Sequence, residues 1–473
     1  MKKMSLPVIL MSALCLFNAC GGGSAMPALP PLVITSATPP GAVLQAAYDG
    51  GGSGFLLTAS GGKTPYTWSW AGASGSSLPP GLNLSQNSIS GTPTAAGIYH
   101  VLVTVSDSQS TPAQTSSNYV ITIALPYMGR FTPSGNMVYG RAQHTATLLN
   151  DGRVLVTGGN QISPSSNFDL NTAELYDPTT GNFAPAGNIM ETTRSLHTAT
   201  LLKTGEVLIT GGENVIGPGL SELFDPVSGT FKPTGGMATD RLGHAATLLN
   251  NGNVLVTGGS EGDTTPFRTA EVYDPVSRTF APTGSMAEPR WGPTATLLSN
   301  GKVLVTGGRG TIDWALATAE IFDPATGSFT PTGNMATSRT FHRATLLNDG
   351  RVLVTGGFDV TDNVVATAEL FDPTTGTFMQ AGSMKTARAS HAAILLDSGN
   401  VLVAGGEDIN TNGIATAEVF DPATGSFSTT GTMGTARSFS TGTLLLDGSA
   451  LVIGGMGVSG CCVISFTSSE LYH

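Results

Sequence analysis

An all-β chain, a small sandwich followed by a closed ring of seven four-stranded blades, is the fold class the sequence predicts, and three observations carry that prediction. Diglycines recur at Gly158-Gly159, Gly211-Gly212, Gly258-Gly259, Gly307-Gly308, Gly356-Gly357, Gly405-Gly406 and Gly454-Gly455, at spacings of 53, 47 and then four times 49 residues. Each pair closes an apolar run such as VLVTGG and is followed by a glutamate before an aliphatic and an aromatic residue, at Glu174, Glu222, Glu271, Glu320, Glu369, Glu418 and Glu470. Seven F-x-x-x-G-x-M segments complete the set, the one from Phe183 to Met190 carrying an extra residue. A repeat period near 50 with this punctuation marks a propeller or an array.

One full unit, residues 339–384, shows how each repeat is built. Its apolar runs are short and bounded by turn formers, so they read as strands at 344–347, 351–355, 367–371 and from 377 onward to 384. Asn348-Asp349-Gly350 supplies the positive φ of a tight hairpin, and Asp372-Pro373 with Gly376 a second turn. Four antiparallel strands leave two edges and two apolar faces bare, which a ring of units covers. The segment opening at Phe131 has the fourth-strand pattern and Glu470-Leu-Tyr-His473 the third-strand pattern. Strand 129–137 is therefore expected to pair with 467–473 and close a propeller spanning 128–473.

The diglycine after the second strand, the aromatic of the third and the aromatic opening the fourth resemble kelch repeats, with Phe in every copy where that family has Trp. The resemblance implies a seven-bladed kelch propeller, a scaffold shared by many functions.

Ahead of the repeats, residues 1–20 have a basic start, an apolar stretch and Asn18-Ala19-Cys20, the plan of an export signal. Its end resembles a bacterial lipobox, which implies lipidation at Cys20, a tether over 21–31 and a cell-envelope address, in the outer membrane by the Gly21 that follows. Residues 32–124 alternate in short runs around PYTWS, LPPGLNL and ISGTPTAAGIYHVLVTVSD, read as a sandwich resembling the Ig- or cadherin-like modules of bacterial surface proteins. Asp49 and Asp107 are its only carboxylates, so cadherin-type calcium ligands are not evident. Leu125-Pro126-Tyr127 reads as a short, fairly fixed junction. Charged residues are 11% of the chain, far below the roughly 25% of ordinary domains. A net charge of −11 argues against a nucleic-acid partner.

Function is expected on the blade face that carries the variable loops at 160–171, 213–220, 260–268, 309–317, 358–366, 407–415 and 456–467. Repeated in each blade are an arginine (Arg141, Arg194, Arg241, Arg290, Arg339, Arg388, Arg437) and, three residues on, His144, His197, His244, Pro293, His342, His391 or Ser440. The arginines read as partners of the repeated glutamates and the histidines as packing between blades; an anion ring and a metal site are the competing readings. Exceptions to the repeat are the better site candidates. Trp291 and Trp314, with Arg309 and Asp313, form an aromatic platform with a polar rim suited to a sugar ring, or plug a loop and a blade junction. Asp408, Asn410 and Asn412 match the first half of a calcium loop without its closing glutamate, and an ordinary turn is the competing reading. Cys461 and Cys462 form either a vicinal disulfide or two free thiols.

The expectation drawn from these features is a non-enzymatic envelope protein that binds a glycan or protein, needs no cofactor and touches the membrane through its lipid only. The alternative is an oxidase similar to galactose oxidase, which also joins a kelch propeller to Ig-like domains. That resemblance implies a copper held by two Tyr and two His with one Tyr linked to a Cys, a set with no counterpart motif here.

Overall fold

The computed structural model of the chain describes residues 30–473 apart from 37–38, 40–41, 44–47, 49–54, 74, 96, 125–128, 214–219, 263–264 and 460–461. The export signal, Cys20, Asp49, the junction at 125–127 and Cys461 therefore lie outside the described residues. No helix among the described residues is long and apolar enough to cross a membrane.

Residues 33–124 form a sandwich whose main sheet pairs Gly97–Ser106 with Gln114–Ala124 on one side and Thr67–Gly72 on the other. Alternate residues Val101, Val103, Ile121 and Ile123 are fully buried and cluster with Ile89 of the facing sheet and with Leu57, while Trp68 and Trp70 pack partly buried against them. Asp107 accepts the amides of Lys63 and Ala113 and the side chain of Gln109, so its carboxylate serves the turn.

From residue 131 the strands make seven four-stranded antiparallel sheets. The first blade holds Thr145–Leu148, Val154–Thr157, Ala173–Asp177 and Asn182–Pro185. The seventh holds Thr441–Leu444, Ala450–Ile453 and Ser468–Tyr472, and takes its outer strand from Phe131–Asn136. That last pairing sets Phe131 opposite Tyr472 and Thr132 opposite Leu471, which closes the ring.

Alternation along the second strand holds neighbouring blades together. In blade five, Leu353 packs with Leu370 and Met384 against Val401, Val403 and Phe420 of blade six. Val352 and Val354, on the opposite face, pack against Leu304 and Met335 of blade four. Each such side chain contributes about 1.5–3 kcal/mol through burial.

The fourth strand is shorter than the sequence suggests. In blade five it covers Thr377–Gln380, after which Gly382 donates its amide to the Gly425 carbonyl of the next blade and Met384 turns into the core. The strand ends because its backbone switches partners from its own sheet to its neighbour's.

Polar repeats are equally architectural. Arg339 is fully buried; its Nη1 donates to the carbonyls of Gly356 and Thr367, and its Nη2 to Thr367 Oγ1 and to Glu369 Oε1 at 2.9 Å. Glu369 Oε2 in turn accepts the Ala336 amide at 2.7 Å, so the ion pair fastens the link that enters the blade. The same pairing recurs from Arg141–Glu174 to Arg437–Glu470. At the diglycine, Gly357 with φ of 100° donates to the Arg388 carbonyl of the next blade, and a methyl at Gly356 would overlap that same carbonyl.

Candidate active site

The histidines close the blades on one another around the axis. His244 Nδ1 donates to the Arg241 carbonyl at 3.2 Å, leaving Nε2 to accept the Thr198 hydroxyl of the preceding blade at 2.8 Å. His197 meets Thr157 and Thr145, His342 meets Thr294 and Thr306, His391 meets Thr355, and His144 meets Thr441 across the ring closure. Burial, reinforced by the neighbouring blade arginine, lowers His144, His244 and His342 to about 3. These imidazoles are neutral clamps, each with its Nε2 in a hydrogen bond to a threonine hydroxyl of the preceding blade.

Above the clamps stands a ring of seven residues in the left-handed region: Gln143, Leu196, Gly243, Gly292, Phe341, Ser390 and Phe439, with φ from 51° to 62°. Each lies two residues after its blade arginine. Leu196 donates its amide to the Gln143 carbonyl, Gly243 to Leu196, Gly292 to Gly243, Ser390 to Phe341, Phe439 to Ser390 and Gln143 to Phe439. This belt sets its residues along the wall of a cavity of about 220 Å³ at the mouth of the axis.

The cavity has two unlike sides. Phe341 stands edge-on to Trp291 at 5.3 Å and to Phe439 at 5.7 Å, while Gly243 and Gly292 leave the rim low where the Trp291 indole lies over Gly243. Blade six supplies the polar feature. Ser390 donates its hydroxyl to Glu407 Oε1 at 2.8 Å, and both residues are buried. Burial raises the Glu407 carboxyl above its ordinary value of 4.5. The pair occurs in blade six alone: positions matching Glu407 in the other blades hold Asn160, Glu213, Ser260, Arg309, Phe358 and Met456.

Of the residues singled out from sequence, Trp291 lines this cavity and Arg309, Asp313 and Trp314 do not. Trp291 and Arg309 pair backbone to backbone at 2.8 and 2.7 Å, and the Arg309 guanidinium lies 4.8 Å over the Trp314 ring, so one face of that indole is already covered. Asp313 offers its carbonyl to the Gly310 amide in the same turn. Asp408 uses Oδ1 to accept the amides of Asn410 and Asn412 and Oδ2 to accept the Asn412 side chain. Asp359 builds the same turn with Thr361 and Asn363 one blade earlier, so the calcium-like spacing is the signature of a turn. Cys462 begins a hairpin strand, Cys462–Ser465, and is half-buried.

Sequence reading missed Ser390, Glu407, Phe341 and Phe439. For Ser390, Phe341 and Phe439 the available signal was variation, since the two positions between each blade arginine and the clamp residue differ from copy to copy while their flanks repeat, and Glu407 opens the variable loop 407–415.

The profile described as "Putative Ig domain" matches residues 30–124 and the kelch motif matches residues 241–287 and 339–385. The chain is a kelch-repeat, seven-bladed β-propeller protein with an N-terminal Ig-like domain. No curated protein matches it in sequence. Among similar solved structures is one described as a novel fungal alcohol oxidase with catalytic diversity among the AA5 family, in complex with copper. It is 21% identical with a TM-score of 0.57, over 73% of this chain and 76% of that one.

This finding corrects the expectation of a non-enzymatic binding protein. The fold is that of a solved oxidase, and the enzyme alternative is the better supported of the two. The copper centre itself does not carry over. The axial histidines are spent on neighbouring blades, and Tyr176, Tyr273 and Tyr472 give their hydroxyls to Ser134, Thr234 and Thr430 between outer strands. No tyrosine lines the axial cavity, and among the described residues no three His, Cys, Asp or Glu side chains converge.

Proposed function

We propose that the protein is an enzyme that takes a small hydroxyl-bearing substrate at the mouth of the propeller axis and activates it by acid–base chemistry. The observation that carries the reading is the Ser390–Glu407 pair, a buried serine on the cavity wall whose hydroxyl is hydrogen-bonded to a buried carboxyl of raised pKa. Ser390 meets the substrate hydroxyl and accepts its proton as it passes its own to Glu407, whose role is exerted through the serine. Trp291, Phe341 and Phe439 supply an apolar wall for the carbon face of a sugar-like ring, opposite the Gln143 amide. The description of the solved structure of like fold as an alcohol oxidase supports the substrate class. Export and lipid attachment at Cys20 belong to the same reading, supported by the Lys2-Lys3 start and apolar run ahead of that cysteine.

Turnover of a panel of aldoses and alditols, followed against pH, tests this. As the base must be ionised, the rate is expected to rise with pH through a value above the ordinary glutamate pKa of 4.5. That limb is expected to vanish in Glu407→Gln, and Ser390→Ala to lose roughly 10²–10⁴ in rate. Persistence of the limb in Glu407→Gln, or full activity of Ser390→Ala, would sink the reading.

A further inference from the structure

Arg343 departs from the repeat at the position just after the clamp residue. Its counterparts are Thr145, Thr198, Ala245, Thr294, Ala392 and Thr441, small side chains on the innermost strands. Four of them, Thr145, Thr198, Thr294 and Thr441, bond a histidine of the next blade. Arg343 has no such duty: the histidine it would meet, His391, turns to Thr355 instead.

The Arg343 side chain is half-buried and lines both the axial mouth cavity and a second cavity of about 330 Å³ further along the axis. Among the described residues the guanidinium makes one hydrogen bond, from Nη1 to the His342 carbonyl at 3.3 Å. Its surroundings lower its affinity for a proton through burial alone, with no carboxylate contributing. The seven blade arginines are each paired to a glutamate, and the clamp histidines around the channel are neutral, so Arg343 leaves the channel with an uncompensated positive charge.

A second observation points to the same space. Ser440 lines both cavities, and its Oγ is buried with no hydrogen-bond partner among the described residues. It stands at the clamp position of blade seven, where the facing blade offers Ala392 and Ala404 in place of the threonines that other clamps use. Ala146, Ala199, Ala246, Ala393 and Gly442 keep the channel wide around these two groups.

We propose that the axial channel is an oxyanion site in which Arg343, with the Ser440 hydroxyl, takes the carboxylate of a small organic acid. One planar fork and one free hydroxyl match the two oxygens of a monoanion and leave a phosphate dianion short of donors. The site stands independently of the acid–base reading. Joined to it, the substrate at the mouth becomes a hydroxy acid of the sugar-acid type, its carboxylate held below the rim.

Calorimetric titration of the full chain with acetate, D-glucuronate, D-glucose and inorganic phosphate is the test, repeated on Arg343→Thr and Arg343→Lys. Threonine is the residue of four sister blades and can rebuild a clamp to His391, so this variant is expected to fold. Acetate and D-glucuronate should bind the wild type and weaken roughly ten- to a hundredfold in Arg343→Thr, with partial retention in Arg343→Lys. Equal carboxylate binding in wild type and Arg343→Thr, no carboxylate binding to the wild type, or tighter binding of phosphate than of either carboxylate would each overturn the assignment. Failure of both carboxylates to bind while D-glucose is still turned over would remove this inference and leave the acid–base site standing. Acetate binding that depends on Arg343, with activity unaffected in Ser390→Ala, would do the reverse.

Discussion

Arg339→Ala is expected to destabilise the propeller by about 3–5 kcal/mol, the cost of leaving one member of a buried ion pair behind. The loss is larger than for a surface pair because the guanidinium serves four acceptors at once: the Gly356 and Thr367 carbonyls, the Thr367 hydroxyl and the Glu369 carboxylate. Glu369 would then remain, 2% exposed, with the Ala336 and Thr337 amides as its partners. Adding Glu369→Leu should recover part of the loss by removing the stranded charge, and not all of it, because those two amides lose their acceptor. Chemical denaturation of the two variants and the wild type measures both steps. A midpoint for Arg339→Ala equal to that of wild type would show that the repeated pair is ornamental.

The second large effect is loss of stability in acid. His144, His244 and His342 have their pKa lowered from 6.5 to about 3 by burial, and His197 and His391 are shifted well down in the same direction. The unfolded chain takes up protons on these rings from about 6.5 downward, while the fold refuses them until near 3. The stability they contribute is therefore complete above 6.5 and is lost progressively as pH falls towards 3. Each ring adds roughly 1.4 kcal/mol per pH unit to that slope within the window. Thermal denaturation followed from pH 8 to 4 should show a plateau and then a steep fall in Tm, and a His→Gln change at one clamp should make the fall shallower. A Tm independent of pH across the window would mean that the clamps are charged or exposed.

Much of this architecture was legible in the sequence because it is periodic. The diglycines, the Arg–Glu pairs and the F-x-x-x-G-x-M segments repeat with the geometry they serve, so seven copies report the same contact. The pairing of Phe131 with Tyr472 follows once the first and last segments are seen as halves of one unit. The site was harder to read for two physical reasons. Gln143, Leu196, Phe341, Ser390 and Phe439 take positive φ because the ring belt forces it, and nothing in those residue types announces a left-handed backbone. Arg343 departs from its counterparts in one blade only, and Glu407 is set apart from Glu213 of blade two only by the serine it meets, where tryptophan drew attention to the loop of blade four. Trp291, expected with Trp314 as one platform on the variable-loop face, lines the axial cavity, whereas Trp314 spends one face on Arg309.

The measurement that bears most directly on an axial site run by Ser390 and Glu407 is copper retention. The full chain, incubated with excess Cu(II) and desalted, would be assayed by elemental analysis and electron paramagnetic resonance. The expected result is no stoichiometric copper and activity on its substrate that is indifferent to the treatment. One tightly held copper per chain, accompanied by the onset of alcohol oxidation, would contradict it.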